Sequence, residues 1–214
     1  MKTPRPHSRA ADRAPGLALG VAAVIGACLL FSSCGGGGGG AGPENPAAPG
    51  WTLFEDGNYT AARDSFLVAL AADSTATEVW SGLGWCLARL DFRESAIAHF
   101  TACLALQPAS PVAEEAQAGR AAAALGTEPA QAELALASAE AALAASPRFV
   151  FRYDSGVDWQ DLHLIIAEAS YALSDYDRAL AEVDSLGGTR PDPGSPTFLA
   201  ELLAELQRLA DLLH

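Results

Sequence analysis

Histidine, cysteine and clustered aspartate residues are the side chains of this chain whose types could support catalysis or metal binding. Three histidines lie beyond the first 33 residues: His99, His163 and His214. They show none of the spacings that are typical of metal ligands. Asp154, Asp158 and Asp161 could suggest calcium, but their spacing does not match an EF-hand loop. We therefore predict no catalytic centre, no metal site and no cofactor, in a chain that is not an enzyme.

Cys34 lies in a different setting, because it follows an apolar run and directly precedes six glycines. Residues 2–13 are basic, residues 16–31 are continuously apolar, and two serines separate this run from the cysteine. This order is typical of a secretory signal peptide. The apolar run is also shorter than the roughly 20 residues of a membrane-spanning helix. We therefore predict a signal peptide over residues 1–33.

The stretch "LFSSC", residues 30–34, resembles the lipobox of bacterial lipoproteins. This resemblance implies cleavage just before Cys34, a diacylglycerol on its thiol, and a fatty acid such as palmitate on its new amino group. Gly35 stands where an aspartate tends to retain Gram-negative lipoproteins at the inner membrane. The resemblance therefore implies a lipid anchor in the outer membrane, on the periplasmic side of the cell envelope. The alternatives are an ordinary signal peptide with a chance cysteine, and an uncleaved anchor.

The remaining chain is acidic and rich in alanine and leucine, with glycine and proline concentrated at its start. Residues 34–50 are a flexible linker by this composition. The chain has a net charge of −13, and residues 1–33 hold four of its 13 basic and one of its 26 acidic residues, so the rest carries −16. Such a body repels phosphates, which argues against nucleic-acid binding. Few β-branched residues and many alanines favour helices over sheets.

Parts of the body repeat at a spacing of 34 residues. The stretch "DGNYTAARDSFLVALAADS", from Asp56, aligns with "LDFRESAIAHFTACLALQP", from Leu90. The second copy contains these landmarks in order: Trp80, Leu83, Gly84, Leu87, Ala96, Phe100 and Pro108. In identity and spacing they resemble the tetratricopeptide repeat (TPR). The resemblance implies two antiparallel helices per repeat, with small residues where the helices approach closely.

Further copies extend the resemblance over residues 51–187. The first opens with a short helix near residues 51–56, the third has helices at 111–125 and 130–145, and the fourth lies within 161–186. Residues 188–214 follow as a loop and an amphipathic helix, with Ser195 as its cap and Pro196 in its first turn. This helix has an apolar stripe formed by Leu199, Leu202, Leu203, Leu206, Leu209 and Leu213. We predict an all-α solenoid of about four TPR-like hairpins, closed by this helix; docking of the helix onto a partner or membrane is the alternative.

Cys86 and Cys103 fall on the two helices of the second repeat. The predicted register separates them by about seven residues along the hairpin, or roughly 10 Å. A disulfide requires α-carbons within about 7 Å. We therefore predict two buried free thiols, although an exported protein could form disulfides.

Tetratricopeptide arrays bind extended peptides in a groove lined by the first helix of each repeat. By this resemblance the groove-facing residues are Trp51, Phe54, Trp85, Arg89, Glu168 and Tyr171. Aromatic residues with an arginine suit the capture of a peptide. The alternative is that some of these tryptophans belong to the core.

Residues 148–163, "RFVFRYDSGVDWQDLH", are aromatic and acidic within an alanine-rich chain. One interpretation is that Asp158 caps a helix that begins near Trp159, while Phe149, Phe151 and Tyr153 pack locally. The other is a loop that contacts a ligand.

We predict a lipid-anchored envelope scaffold that binds a protein or peptide through its groove. The alternatives are a lipoprotein that binds a sugar or small molecule through residues 148–163, and a hydrolase of unfamiliar type.

Overall fold

The computed structural model describes residues 45–127 and 130–213. These residues form nine α-helices and no β-strand. The helices are α1 (Ala48–Glu55), α2 (Tyr59–Ala72), α3 (Thr77–Arg89), α4 (Arg93–Ala105), α5 (Val112–Leu125), α6 (Ala132–Ala145), α7 (Trp159–Ala172), α8 (Tyr176–Ser185) and α9 (Phe198–Leu213). The first eight pair into four consecutive hairpins, and α9 packs on the last hairpin. The predicted all-α solenoid with a closing helix is therefore confirmed.

The amino-terminal predictions fall mostly outside these residues. The predicted signal peptide and Cys34 lie outside the described residues, as does the predicted linker up to residue 44. The first helix, α1, begins at Ala48, three residues before the range predicted for the repeats. Pro49 lies in its first turn, where the missing N–H has no helical partner to lose.

Three of the hairpin turns share one backbone geometry. Gly57, Asp91 and Ser174 each follow the first helix of a hairpin with positive φ angles of 74°, 64° and 64°. Each turn returns N–H groups to carbonyls of the preceding helix; Phe92, for example, donates to the Leu87 carbonyl at 2.9 Å. A left-handed residue at this position satisfies carbonyls that the helix end leaves unpaired. The repeat seen in the sequence is therefore also a repeat of turn geometry.

Close packing between hairpins depends on glycines that face a phenylalanine. Phe100, on α4, lies between Gly84 of α3 and Gly119 of α5. A β-carbon added at these glycines would lie 2.6 Å and 2.2 Å from the Phe100 ring. The preceding repeat has the same arrangement, with Phe66 between Gly50 and Gly82. In these two repeats the ring of the second helix thus fills the space left by the two glycines of the adjacent first helices.

The last helix differs from its prediction at its start and along its stripe. It begins at Phe198 rather than at Pro196, because residues 193–197 form turns and the first helical bond runs from Glu201 N–H to the Thr197 carbonyl. Leu202, Leu206 and Leu209 are buried against α7 and α8, as predicted. Leu199 and Leu203 are exposed, so the buried stripe is narrower than the predicted one.

Candidate functional site

The first helices of the four hairpins form one continuous face, which we call the inner face. Helix α3 packs on α1 and α5, and α5 packs on α7. Each second helix packs on the first helix of its own hairpin and on the helix that follows it. The side chains of α1, α3, α5 and α7 that point away from the second helices therefore determine what this face can bind.

The chain itself occupies part of the inner face with Phe149–Asp154, which we call the inserted segment. The Phe151 ring stacks on Trp85 of α3, with centroids 4.1 Å apart and planes 18° apart. The Tyr153 ring stacks on Trp51 of α1 at 3.8 Å and 3°. Phe151 is only 1% exposed. Each stacked pair adds about 0.5–1.5 kcal/mol beyond the burial of its rings, so the segment is firmly held.

Hydrogen bonds to two glutamates also hold the inserted segment. Arg152 donates two hydrogen bonds to Glu115 of α5, from Nε at 2.6 Å and from Nη2 at 2.8 Å. Tyr153 donates its hydroxyl to Glu78 of α3 at 2.9 Å. The hydrogen bond to Glu115 raises the pKa of the Arg152 guanidinium, and burial raises the pKa of the Tyr153 hydroxyl. Both side chains therefore keep their protons throughout the physiological pH range.

The predicted groove residues of α1 and α3 lie beneath or beside this segment. Trp51, Phe54 and Trp85 are buried, in contact with Phe151. The inserted segment therefore covers all three of these side chains in this structure. Arg89 forms an ion pair with Asp154 at the end of the segment.

The two predicted groove residues of α7 have different surroundings. Tyr171 is half-buried, stacks edge-on against Tyr176 at 5.8 Å, and donates its hydroxyl to the Leu199 carbonyl at 3.3 Å. It therefore joins α7 to the closing helix. Glu168 lines a cavity further along the inner face.

This open cavity lies between α3, α5, α7 and α9 and has a volume of about 440 Å³. Its wall is mainly apolar, and it includes Trp85, Ala88, Ala122, Leu162, Ile165 and Ala210. Arg89 and Arg93 lie at its edge, and each is paired with an aspartate, Arg93 with Asp91 at 2.7 Å. A concave apolar site of this volume with a few charged groups at its rim can bind an apolar side chain or a small ligand.

Residues 148–163 contain the predicted cap of α7. Asp158 caps α7 by accepting a hydrogen bond from Gln160 N–H at 2.7 Å, and Asp161 completes a capping box, as the capping interpretation predicted. Phe151 and Tyr153 pack edge-on against each other at 5.8 Å, but they also stack on Trp85 and Trp51, which the prediction of purely local packing missed. Sequence reasoning also missed Glu78, Glu115 and Arg152. The signals that could have identified them were a glutamate in the first turn of a helix and an arginine between aromatic residues.

The other side chains that could support chemistry are two cysteines and a histidine. Cys86 and Cys103 lie as buried free thiols, as predicted, and burial raises the pKa of each to about 12. His163 bonds Glu182 of α8 at 2.6 Å. Within residues 45–127 and 130–213, no group of three potential ligands is placed to hold a metal ion. None of the helices in this part of the chain combines the length and apolar character needed to cross a membrane.

The geometry defines the class of fold: a TPR-like helical solenoid. Among solved structures, the chain is similar to TTC0263, a thermophilic TPR protein of Thermus thermophilus, with a TM-score of 0.50 and 21% identity. The match covers 79% of this chain and 89% of that one. No family model and no curated protein matches the sequence. At this identity the similarity establishes the fold alone.

Proposed function

We propose that this protein is a lipid-anchored scaffold of the bacterial cell envelope, which binds a segment of a partner protein in the open cavity of its inner face. The supporting observation is the cavity itself, which remains accessible on the face that the first helices form. Ala122 lies exposed in its wall, so a partner can reach it. The charge of −16 on residues 34–214 favours a segment whose apolar side chains are flanked by lysine or arginine.

The anchor in this proposal rests on the order of residues around Cys34. Two or more acyl chains on this residue would hold the protein durably, since each buried methylene contributes about 0.8 kcal/mol. The glycine-rich residues that follow would separate the solenoid from the bilayer. Gly35 supports an outer-membrane location on the periplasmic side.

A second candidate function is the binding of a sugar or another small molecule. The observation that favours it is the contribution of residues 148–163 to the cavity wall, through Val157, Asp161 and Leu162. A volume of about 440 Å³ also falls within the range of small-molecule sites.

Filling the cavity tests the scaffold function. The full chain, solubilised from the membranes of the producing cells, is used to co-purify its partner. Ala122→Trp places an indole in the cavity and should abolish co-purification, whereas Ala98→Trp, at an exposed alanine of α4, should leave it intact. Retention of the protein partner by Ala122→Trp would contradict the scaffold function. If the wild type co-purifies a sugar or metabolite but no protein, and Ala122→Trp loses that small molecule, the result would support the second candidate function.

Labelling with palmitate tests the anchor independently. We expect radiolabel on the wild-type chain and none on Cys34→Ser. Label that persists on Cys34→Ser would remove the lipid anchor from the proposal and leave the cavity function untouched.

A further inference from the structure

We infer that the open cavity binds a small organic cation, in which an apolar body carries one ammonium group. The inference rests on the second candidate function, because it gives a chemical class to a small molecule bound in the same cavity. The shape of the cavity, its apolar wall and the surplus of carboxylates around it each support this class.

The cavity is bounded on both sides along the solenoid, so it suits a compact ligand rather than an extended one. On the side of α1, Phe151 stacks on Trp85 and Asp154 pairs with Arg89, and both Trp85 and Arg89 belong to the cavity wall. On the opposite side, the closing helix contributes Ala210 to the wall. The volume of about 440 Å³ lies in the lower part of the range of small-molecule sites, which is about 300–1,000 Å³.

The wall of the cavity favours hydrocarbon over sugar. Alanines of α3 and α5, such as Ala88 and Ala122, leave room in the cavity, and Leu162 and Ile165 of α7 add larger apolar side chains. Transfer of an aliphatic chain or an aromatic ring from water to such a wall is favourable. The hydroxyls of a sugar would instead lose water and find few hydrogen-bond partners there, which is costly.

Carboxylates outnumber guanidinium groups around the cavity. Asp161 and Glu168 lie in its wall, and each of the two arginines at its edge is paired with a further aspartate. The local balance is therefore four carboxylates to two guanidinium groups. Asp161 is only 9% exposed, and a carboxylate held away from water is stabilised by a nearby cation. The charge of −16 on residues 34–214 adds a long-range attraction for cations.

Glu168 is the carboxylate that we assign to the ammonium group of the ligand. Asp161 has a structural role, since it accepts a hydrogen bond from Asp158 N–H at 2.7 Å in the capping box of α7. Glu168 lies seven residues further along α7, or about 10 Å at 1.5 Å per residue, and is half-buried in the cavity wall. A charge pair in such a partly buried site is stronger than one on the open surface, because water screens it less.

Three probes with the same ring and chain length test the inference. They are phenethylammonium, the neutral 2-phenylethanol and the anionic 3-phenylpropionate, each titrated at pH 7 into the solubilised full chain and followed by ligand-observed NMR. Glu168→Gln removes the charge of the assigned carboxylate with little change of shape. Glu55→Gln is the matched control, at an exposed glutamate of α1, which does not line the cavity. Ala122→Trp fills the cavity and corrects for uptake of the probes by detergent.

We expect the wild type to bind phenethylammonium about tenfold more tightly than 2-phenylethanol, and 3-phenylpropionate more weakly than either. Glu168→Gln should weaken the binding of phenethylammonium about tenfold and leave that of 2-phenylethanol unchanged, since only the ammonium group loses its partner. Glu55→Gln should behave as the wild type. Ala122→Trp should weaken the binding of phenethylammonium and 2-phenylethanol alike.

The inference is overturned if the wild type binds the ammonium and the alcohol equally, or binds neither at millimolar concentration. It is also overturned if a folded Glu168→Gln keeps the full preference for the cation. Should circular dichroism show that Glu168→Gln is unfolded, the comparison of the probes between wild type and Ala122→Trp decides. Equal binding of ammonium and alcohol that Ala122→Trp abolishes would leave small-molecule binding in the cavity intact and remove only the cation, so the two failures are distinguishable.

Discussion

The bond between Arg152 and Glu115 gives the sharpest stability prediction, because it joins a buried carboxylate to a partly exposed guanidinium. Removing one partner of a fully buried ion pair costs about 3–5 kcal/mol. The Glu115 side chain is 1% exposed, but the Arg152 side chain is 39% exposed, so water can partly replace the lost cation. We therefore expect Arg152→Ala to lower the free energy of unfolding by about 2 kcal/mol, which is less than the loss for a fully buried pair. A loss of this size corresponds to a melting temperature lower by about 4–8 °C.

A double-mutant cycle measures this interaction by urea denaturation at pH 7, followed by helical circular dichroism. Arg152→Ala, Glu115→Ala and the double variant should give a coupling free energy of about 1.5 kcal/mol. The control pair is Arg63 and Asp64, which meet at 2.7 Å on the surface and should couple by less than about 0.5 kcal/mol. Equal coupling free energies in the two cycles would show that burial of Glu115 does not strengthen its interaction with Arg152.

Three further predictions concern the repeat packing, the thiols and the closing helix. Gly82→Ala should lower the free energy of unfolding by about 1–3 kcal/mol, because the new β-carbon would lie 2.4 Å from the Phe66 ring; urea denaturation with unchanged stability would contradict this. Cys86 and Cys103 should resist iodoacetamide at pH 8 in the folded protein and react after denaturation, because burial raises the pKa of each to about 12; rapid native labelling, read by mass spectrometry, would count against their burial. Hydrogen bonding to the neighbouring guanidinium lowers the pKa of Glu205 below its ordinary 4.5, so the stability it contributes is present above that pH and is lost as the pH falls below it. Wild type should therefore exceed Glu205→Gln in stability by more at pH 7 than at pH 3, and an equal difference at both pH values would exclude this contribution.

The features that could be predicted from the sequence are those with local causes. The hairpin of the second repeat follows from residues such as Gly84 and Phe100, whose sizes and spacing determine how two helices meet. The start of α7 follows from Asp158, because a helix cap involves residues only two or three positions apart. Contacts of this kind can be predicted from sequence patterns.

The inserted segment could not be predicted in the same way, because its contacts join distant residues. Phe151 stacks on a tryptophan 66 positions earlier, and Arg152 reaches a glutamate 37 positions away. A pattern of aromatic residues predicts that rings will be buried, but which rings stack depends on contacts between distant helices and the inserted segment. For the same reason the resemblance correctly placed Trp51 and Trp85 on the first helices and could not show what covers them.

Photocrosslinking in the producing cells can identify which face of the solenoid meets a partner. The photoreactive amino acid p-benzoylphenylalanine is placed at Ala122, in the wall of the open cavity, or at Val68, which is 74% exposed on α2. A scaffold that binds its partner in the cavity should give an adduct with one defined protein from position 122 and none from position 68. Adducts from position 68 alone, or from neither position, would contradict a scaffold that binds its partner through the inner face.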